Sequence, residues 1–538
     1  MAVSDSNIVP LAGNLGSWRF WEPLLLLYCL RSVLMGDGTG ARSRPDLEGV
    51  ADKDPKDAFR CFVNKLSMVC DNQRGGDTVT AFAVLQPGDV EYRFASNRRS
   101  SQSLVEVCRF VTDLLRPLGK APATAFSDTN KRAVMTFQIL GKVLGFNRPR
   151  IEVYIRCLLK HLEFCVDTSA TIDPSFSQSL QTLQVPASRA AEKNLSSDKF
   201  IPRGHALLQA ISRLYDDETF KDFMRERTRE DREQSNESRW SELSHFLGRL
   251  HSYTVAAKVF ISARVRWPEL FEAFEVTYIP SSEPSTDMPS FRGSAARMVE
   301  RLTRDPSVHK AFREHEPRLQ ELGLDKEIQK KKKPSNFRPI VHAEVNLSDH
   351  IQREERCSNP TDGGGSARVR FFNESVFGRY IGSSKPTCRL CDLYFHAPKG
   401  PDMDVRKSHQ NLYYNWRVPD LYREDGQQAE QARKEILESM VASIKQQAIQ
   451  TIVSRLVVGG KRYDSNTTTS FPFSAQYRYD GVGSEAMRYL EGATSSTSLS
   501  PIREGGEDSG SGTGVRSNKM VDDLASTLGQ VDLDSEGE

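Results

Sequence analysis

RYIGSSKPTCRLCDLYF, residues 379–395, changes its period part-way along. Arg379 to Ser384 reads as a short strand. Lys385, Pro386 and Thr387 follow it. Cys-Arg-Leu-Cys-Asp-Leu-Tyr-Phe then reads as a helix opening after Pro386, beginning at Cys388. Cys388 and Cys391 are three residues apart, so on a first helical turn both sulfurs face one point. The partial positive charge of a helix N-terminus favours their thiolate forms.

A second strand-to-helix junction lies upstream. Arg338-Pro339-Ile340-Val341 reads as extended, and His342-Ala343-Glu344-Val345-Asn346-Leu347 as the start of a helix. One imidazole from His342 added to Cys388 and Cys391 makes three ligands for a metal such as Zn2+ and leaves a fourth position for water. That pattern marks a catalytic zinc, whereas structural zinc usually takes four protein ligands. Glu344, two residues from His342, is close enough to reach a metal-bound water without ligating. A structural zinc remains open at this point, with Cys357, His350, His396 and His409 available as a fourth ligand, and so does a Cys-x-x-Cys redox pair. His342 and Cys388 are 46 positions apart, and the glycine-rich stretch 361–366 absorbs that length at small entropic cost.

His-x-Glu followed by a proline-associated Cys-x-x-Cys resembles the signature of the cytidine-deaminase-like superfamily, whose members deaminate nucleosides, nucleotides and nucleic-acid bases. The strings PIVHAEVNL (339–347) and YIGSSKPTCRLCDLYFHA (380–397) look most like its large fungal branch. The resemblance implies an α/β fold, a mixed sheet flanked by helices with a β-hairpin before the His-x-Glu helix. It implies zinc held by His342, Cys388 and Cys391, and Glu344 carrying a proton from water to a ring nitrogen and then to departing ammonia. It also implies Asn97 as a substrate contact. Thr387 departs from the usual pattern, in which proline directly precedes the first cysteine.

Farther out, Thr78–Leu85 and Val90–Asn97 flank Gln86-Pro87-Gly88-Asp89. Pro-Gly suits a type II turn, and Val90, Tyr92 and Phe94 alternate with Glu91 and Arg93, so the pair reads as a hairpin with one face toward a core. Residues 57–70 read as the preceding helix. The domain expectation is an N-terminal arm (1–54) with a docking helix around Pro23–Leu30, then a first part of the core (55–100) and an α-helical insertion (101–330). A second part of the core (331–460) carries the metal motifs, followed by a low-complexity tail (461–538). Within the insertion, 166–200 is expected as a Ser/Thr/Ala-rich loop, 203–224 and 238–275 as helices, 279–290 as a linker and 294–325 as helix. A helix is expected over 427–458. The tail is expected to be disordered, with nine acidic and three basic residues after position 500.

The 538 residues are 38% hydrophobic, ample for a sizeable core, and the formal net charge of +2 gives no global argument for nucleic acid or membrane. Nine scattered cysteines read as reduced thiols of an intracellular protein, cytoplasmic or nuclear. The apolar run at 23–30 is far shorter than the roughly 20 residues of a membrane span. Lys330–Lys333 reads as a solvated helix end rather than a phosphate or nuclear-localisation patch. His409, Tyr413, Tyr414 and Trp416 form an aromatic cluster, at least half of it core packing and the rest free to stack on a base. Two functions are carried forward. One is zinc-dependent hydrolytic deamination of a nucleobase, free or within single-stranded nucleic acid. The other is a catalytically inactive deaminase-like protein whose structural zinc holds the fold while the insertion binds a protein partner.

Overall fold

The computed structural model describes residues 8–9, 19–35, 54–234, 239–285, 293–357 and 369–455. The acidic tail, the glycine-rich stretch and most of the N-terminal arm lie outside them.

The hairpin forms as read. β2 (Thr80–Leu85) and β3 (Val90–Ser96) pair antiparallel across 86–89. They sit in a mixed five-stranded sheet of order β4–β3–β2–β5–β6, with β4 at Phe274–Ile279, β5 at Tyr380–Ser383 and β6 at Asp404–Val405. β4 runs parallel to β3, β5 antiparallel to β2, and β6 parallel to β5. A separate two-residue ribbon joins β1 (Ile8–Val9) to β7 (Leu421–Tyr422).

Helices cover both faces of the sheet, which corrects the reading of a hairpin with one buried face: every residue of β2 is buried. Phe82, Val84, Val90, Tyr92 and Phe94 pack on one side with the Pro55–Cys70 helix and the helical block that follows. Ala81, Ala83, Leu85, Ala95 and Ile381 pack on the other, with the helices Ala343–Cys357, Arg389–Phe395, Trp21–Leu34 and Gly426–Ser454. The polar positions of β3 are paired on that second side, where Arg93 meets Glu91 at 2.7 Å and also binds Glu354. The alternation of β3 is therefore real, but its polar face meets a helix rather than water.

The segment expected to dock forms the helix Trp21–Leu34, which buries Leu24, Leu25, Leu26, Leu27 and Leu30 and packs on Gly426–Ser454. Among the described residues no helix is long and apolar enough to cross a membrane. The lysine run ends the Leu324–Lys332 helix, but it is not wholly solvated: Lys331 lies over the rings of Tyr28 and Tyr414 and pairs with Glu327.

Two expectations within 101–330 are overturned. Residues 166–200 are mostly helical rather than a loop, completing Arg148–Ile172 and continuing through Pro174–Gln181 and Gln184–Ala190 to the start of Ser197–Asp216, with 191–196 as a short connection. Asp173 caps the first break, accepting from the N–H groups of Ser175 and Phe176, with Pro174 at the first helical position. Phe176, Leu180, Leu183, Ala187 and Ala190 then keep a buried helical stripe that the polar composition hides. The helix read over 238–275 ends at Arg266, and FEVTYI becomes β4, held by register pairing to β3.

Two histidines of this region give the chain an acid-sensitive core. His205 stacks on Phe137 with centroids 3.9 Å apart, and His251 on Tyr215 at 4.4 Å. Burial pushes His205 down to about 4 and His251 down to about 3. An unfolded imidazole titrates near 6.5, so between these values the unfolded chain binds more protons, and stability falls as pH falls from about 6.5 toward 4. At pH 4.5 His205 alone is expected to cost about 2 kcal/mol. The denaturant midpoint measured from pH 7 to 4.5 checks this: it should drop, and drop less in His205→Phe.

Candidate metal and catalytic site

The site lies at one end of the sheet, where β3 and β5 end and β2 begins. His342 immediately precedes the Ala343–Cys357 helix and supplies its carbonyl to the Asn346 N–H. Asn97, just past β3, caps that helix from another strand: its Oδ1 accepts from the Ala343 N–H at 2.8 Å, and its Nδ2 donates to the Gly76 carbonyl at 2.8 Å. Cys388 is the N-cap of Arg389–Phe395, its sulfur accepting from the Cys391 N–H. Thr387, the residue that lengthens the motif, is buried. Its hydroxyl donates to the Arg406 carbonyl at 2.5 Å and its carbonyl accepts from the His409 N–H. The extra residue thus anchors the loop that presents Cys388. Gly382 lets the Pro55–Cys70 helix pass close over β5, since a Cβ there would lie 2.7 Å from Val63.

These elements bring the donors together. His342 Nδ1 lies 3.5 Å from Cys388 Sγ and 3.4 Å from Cys391 Sγ. Tetrahedral zinc with ordinary Zn–S and Zn–N bonds separates such donors by about 3.6 Å, so the three fit one ion. Among the described residues no fourth histidine, cysteine or carboxylate joins the group. Of the alternative fourth ligands, His350 and His396 are absent from it, His409 lines the adjoining cavity without joining, and the side chain of Cys357 lies outside the described residues. Both cysteines are unbridged. Trp416, fully buried, donates its indole N–H to Cys391 Sγ at 3.2 Å.

The electrostatics are tightly coupled. Burial opposes ionisation of Cys388, but hydrogen bonding from Cys391 and the adjacent imidazole hold its thiol well below the ordinary range. Burial and the neighbouring Cys388 push Cys391 well up. Burial disfavours charge on His342, yet the Cys388 sulfur outweighs it and raises the imidazole. Glu344 is buried; that burial raises its carboxyl, against the opposing pull of His342, and it hydrogen-bonds Cys391.

A cavity of about 250 Å³ opens over the group, lined by His342, Glu344 and Cys388 at its base and by Asn97, Ile340, Pro386, His409 and Tyr413 along its walls. Gly75, Gly76, Asp77, Val79, Arg98, Lys385 and Asn415 complete it. The aromatic cluster divides. Trp416 is core and Tyr414 packs on Tyr28 and Phe337, while Tyr413 is 38% exposed and edge-on to His409 at the cavity. Sequence reasoning passed over Arg98, Lys385 and the 75–77 loop as well as the sulfur bond of Trp416. Only the adjacency of Arg98 to Asn97, and of Lys385 to Pro386, signalled them.

Residues 341–420 match a family model described as an OTT_1508-like deaminase. The segment is deaminase-like. It holds His342, Glu344, Cys388, Cys391 and Trp416, and it ends one residue before β7. No curated protein and no solved structure matches the chain.

Proposed function

We propose that the chain is a zinc-dependent hydrolytic deaminase acting on a nucleobase, built on a cytidine-deaminase-like core. In this reading 55–100 and 331–460 form that core, and 101–330 is an insertion that also lends β4 to its sheet. The observation that carries the reading is three metal-fitting donors, two of which (His342 and Cys388) line a cavity together with a buried carboxyl, Glu344. The deaminase-like match over the same residues supports it.

His342, Cys388 and Cys391 would hold the ion, which when bound acts as a Lewis acid that makes water acidic near neutral pH. Glu344 takes one proton from the attacking water and passes it to a ring nitrogen as the C–O bond forms; it then carries a second, from the added hydroxyl, to the amino group, which leaves as ammonia when the C–N bond breaks. Burial raises its carboxyl, the direction that favours its holding a proton between the two transfers. Asn97 has one amide hydrogen and one lone pair beyond the bonds to Ala343 and Gly76, so it can meet the base edge while holding the His342 segment in place. Pro386, Tyr413 and Ile340 give the ring an apolar slot.

The test pairs metal analysis with ammonia release over a panel of nucleosides, nucleotides and single strands. One zinc per chain and release from at least one substrate are expected; a zinc-loaded chain inert across the panel would leave the non-catalytic reading standing. The Trp416 bond gives a finer expectation. Partners that hydrogen-bond metal ligands typically tune affinity 10- to 100-fold. Trp416→Phe keeps the ring and removes the N–H, so zinc competition with a chromogenic chelator should show weakening of about tenfold.

A further inference from the structure

We infer that Asp71 and Arg150 are positioning residues for this site: their buried ion pair fixes the 72–79 loop, and through it Asn97, to the helical block. The inference deepens the deaminase reading, on which its substrate side rests.

The loop begins where the Pro55–Cys70 helix ends. Asp71 follows that helix and is 1% exposed. Its carboxylate closes the loop at the neck: Oδ1 accepts from the Thr78 hydroxyl at 2.7 Å, and that hydroxyl in turn accepts from the Gln73 N–H at 3.2 Å. Between the two ends of the neck stand Gly75, Gly76 and Asp77, which line the cavity, and Val79 lines it just beyond. The loop's carbonyls then reach the metal motif. Gly76 accepts from the Asn97 amide at 2.8 Å, and Asn97 accepts from the Ala343 N–H, next to His342, at 2.8 Å. The Val79 and Asp77 carbonyls accept from the N–H groups of Asn97 and Arg98 respectively. A shift of the loop is therefore a shift of Asn97.

The neck is gripped from 101–330. Arg150, in the Arg148–Ile172 helix, has its side chain 5% exposed and places Nη1 2.5 Å from Asp71 Oδ2 while donating to the Asp71 carbonyl. Its Nε donates to the Tyr154 hydroxyl, which also accepts from Arg249 of the Arg239–Arg266 helix at 2.6 Å. Burial opposes charge on Asp71, yet the Arg150 guanidinium, with help from Lys385, outweighs it and holds the carboxyl below its ordinary range. Lys385 also donates to the Gly75 carbonyl at 2.9 Å, so the loop is held at its neck and along its length. A buried pair of charges gives little net stability over apolar side chains of the same shape, because both charges must leave water. What it does give is one geometry. Neither Asp71 nor Arg150 lines the cavity, so their effect on a substrate passes through the loop.

The test removes the pair without stranding a charge. Asp71→Asn/Arg150→Met is compared with the parent chain, both zinc-loaded, by hydrogen–deuterium exchange and by ammonia release from cytidine, adenosine and their 5′-monophosphates. Exchange at the Gln73, Val79, Asn97 and Ala343 amides is expected to quicken about tenfold, with zinc content and the exchange of the Gly426–Ser454 helix unchanged. For the probe that turns over, KM should rise about tenfold and kcat stay within about twofold, the sign of lost substrate positioning. Loss of fold alone lowers the amount of active chain and leaves KM where it was. Arg150→Lys, which keeps the ion pair, should stay near the parent. Thr78→Val opens the neck and leaves both charges paired, so it tests the loop even if the double variant fails to fold; its shifts should fall at the same amides and in the same direction. Unchanged exchange at those amides, a rise spread evenly over the chain, or faster loop exchange with an unchanged KM overturns the inference. The deaminase reading fails differently. A parent chain that releases no ammonia from any probe sinks that reading, while the exchange response still decides whether Asp71 and Arg150 hold the loop and Asn97.

Discussion

A Glu344→Gln chain is expected to keep its zinc and its fold while releasing ammonia about a thousandfold more slowly, or below detection. The substitution preserves shape and removes a proton carrier. Glu344 is 5% exposed and none of the three metal donors belongs to it, so the ion has no need of its charge. A neutral amide in that buried place also avoids the desolvation that raises the carboxyl. General acid–base catalysis contributes about 10²–10⁴ in rate, and here one residue would serve both half-reactions, which places the loss toward the upper end. Single-turnover ammonia release beside zinc content decides it. Release within tenfold of the parent chain would assign the proton to another group, and the mechanism above would fall.

Removing a ligand acts on stability as well as on activity. Cys388→Ser is expected to abolish stoichiometric zinc and to lower the melting temperature by on the order of 10 °C relative to the zinc-loaded parent. An ion present at about a thousand times its dissociation constant stabilises the folded state by about 4 kcal/mol. The three donors come from two helix starts that lie 46 residues apart, so a common ion would tie the Ala343–Cys357 helix to the Arg389–Phe395 helix. A chelator should produce the same shift in the parent chain and none in Cys388→Ser. Cys157→Ser, half-buried in the helical block, should leave both zinc and melting unchanged. Stoichiometric zinc in Cys388→Ser, read by atomic absorption, would show that other residues hold the ion.

The two motifs were legible because each is local. Residues three apart on a helix start, or at a strand end before a proline, declare their geometry within a few positions. The hairpin was legible for the same reason, through period-two alternation around Pro87-Gly88. What escaped depends on partners distant in the chain. β4 reads as the tail of an aromatic-rich helix until β3, nearly two hundred residues earlier, supplies its register. The helices of 166–190 hide behind serines and threonines because their stripe is read only against the core that buries it. Asn97 was legible as a strand-end asparagine, but its grip on the Ala343 N–H spans 246 positions. The indole bond to Cys391 spans 25 and leaves no periodic trace.

The central position of β2 has a consequence during synthesis. Its hairpin partner follows within a few residues, but its other neighbour, β5, emerges about 300 residues later. At the ribosome's pace of about 5–20 residues per second, that edge of β2 waits on the order of 15–60 s for its proper strand. It waits as an apolar segment, TAFAVL, with a row of unsatisfied N–H and C=O groups, which is the kind of edge that recruits foreign strands. The nascent chain is thus most exposed to mispairing while the 101–330 helices are being made, and slowing its translation should raise the share that aggregates before the two cysteines ever reach the histidine.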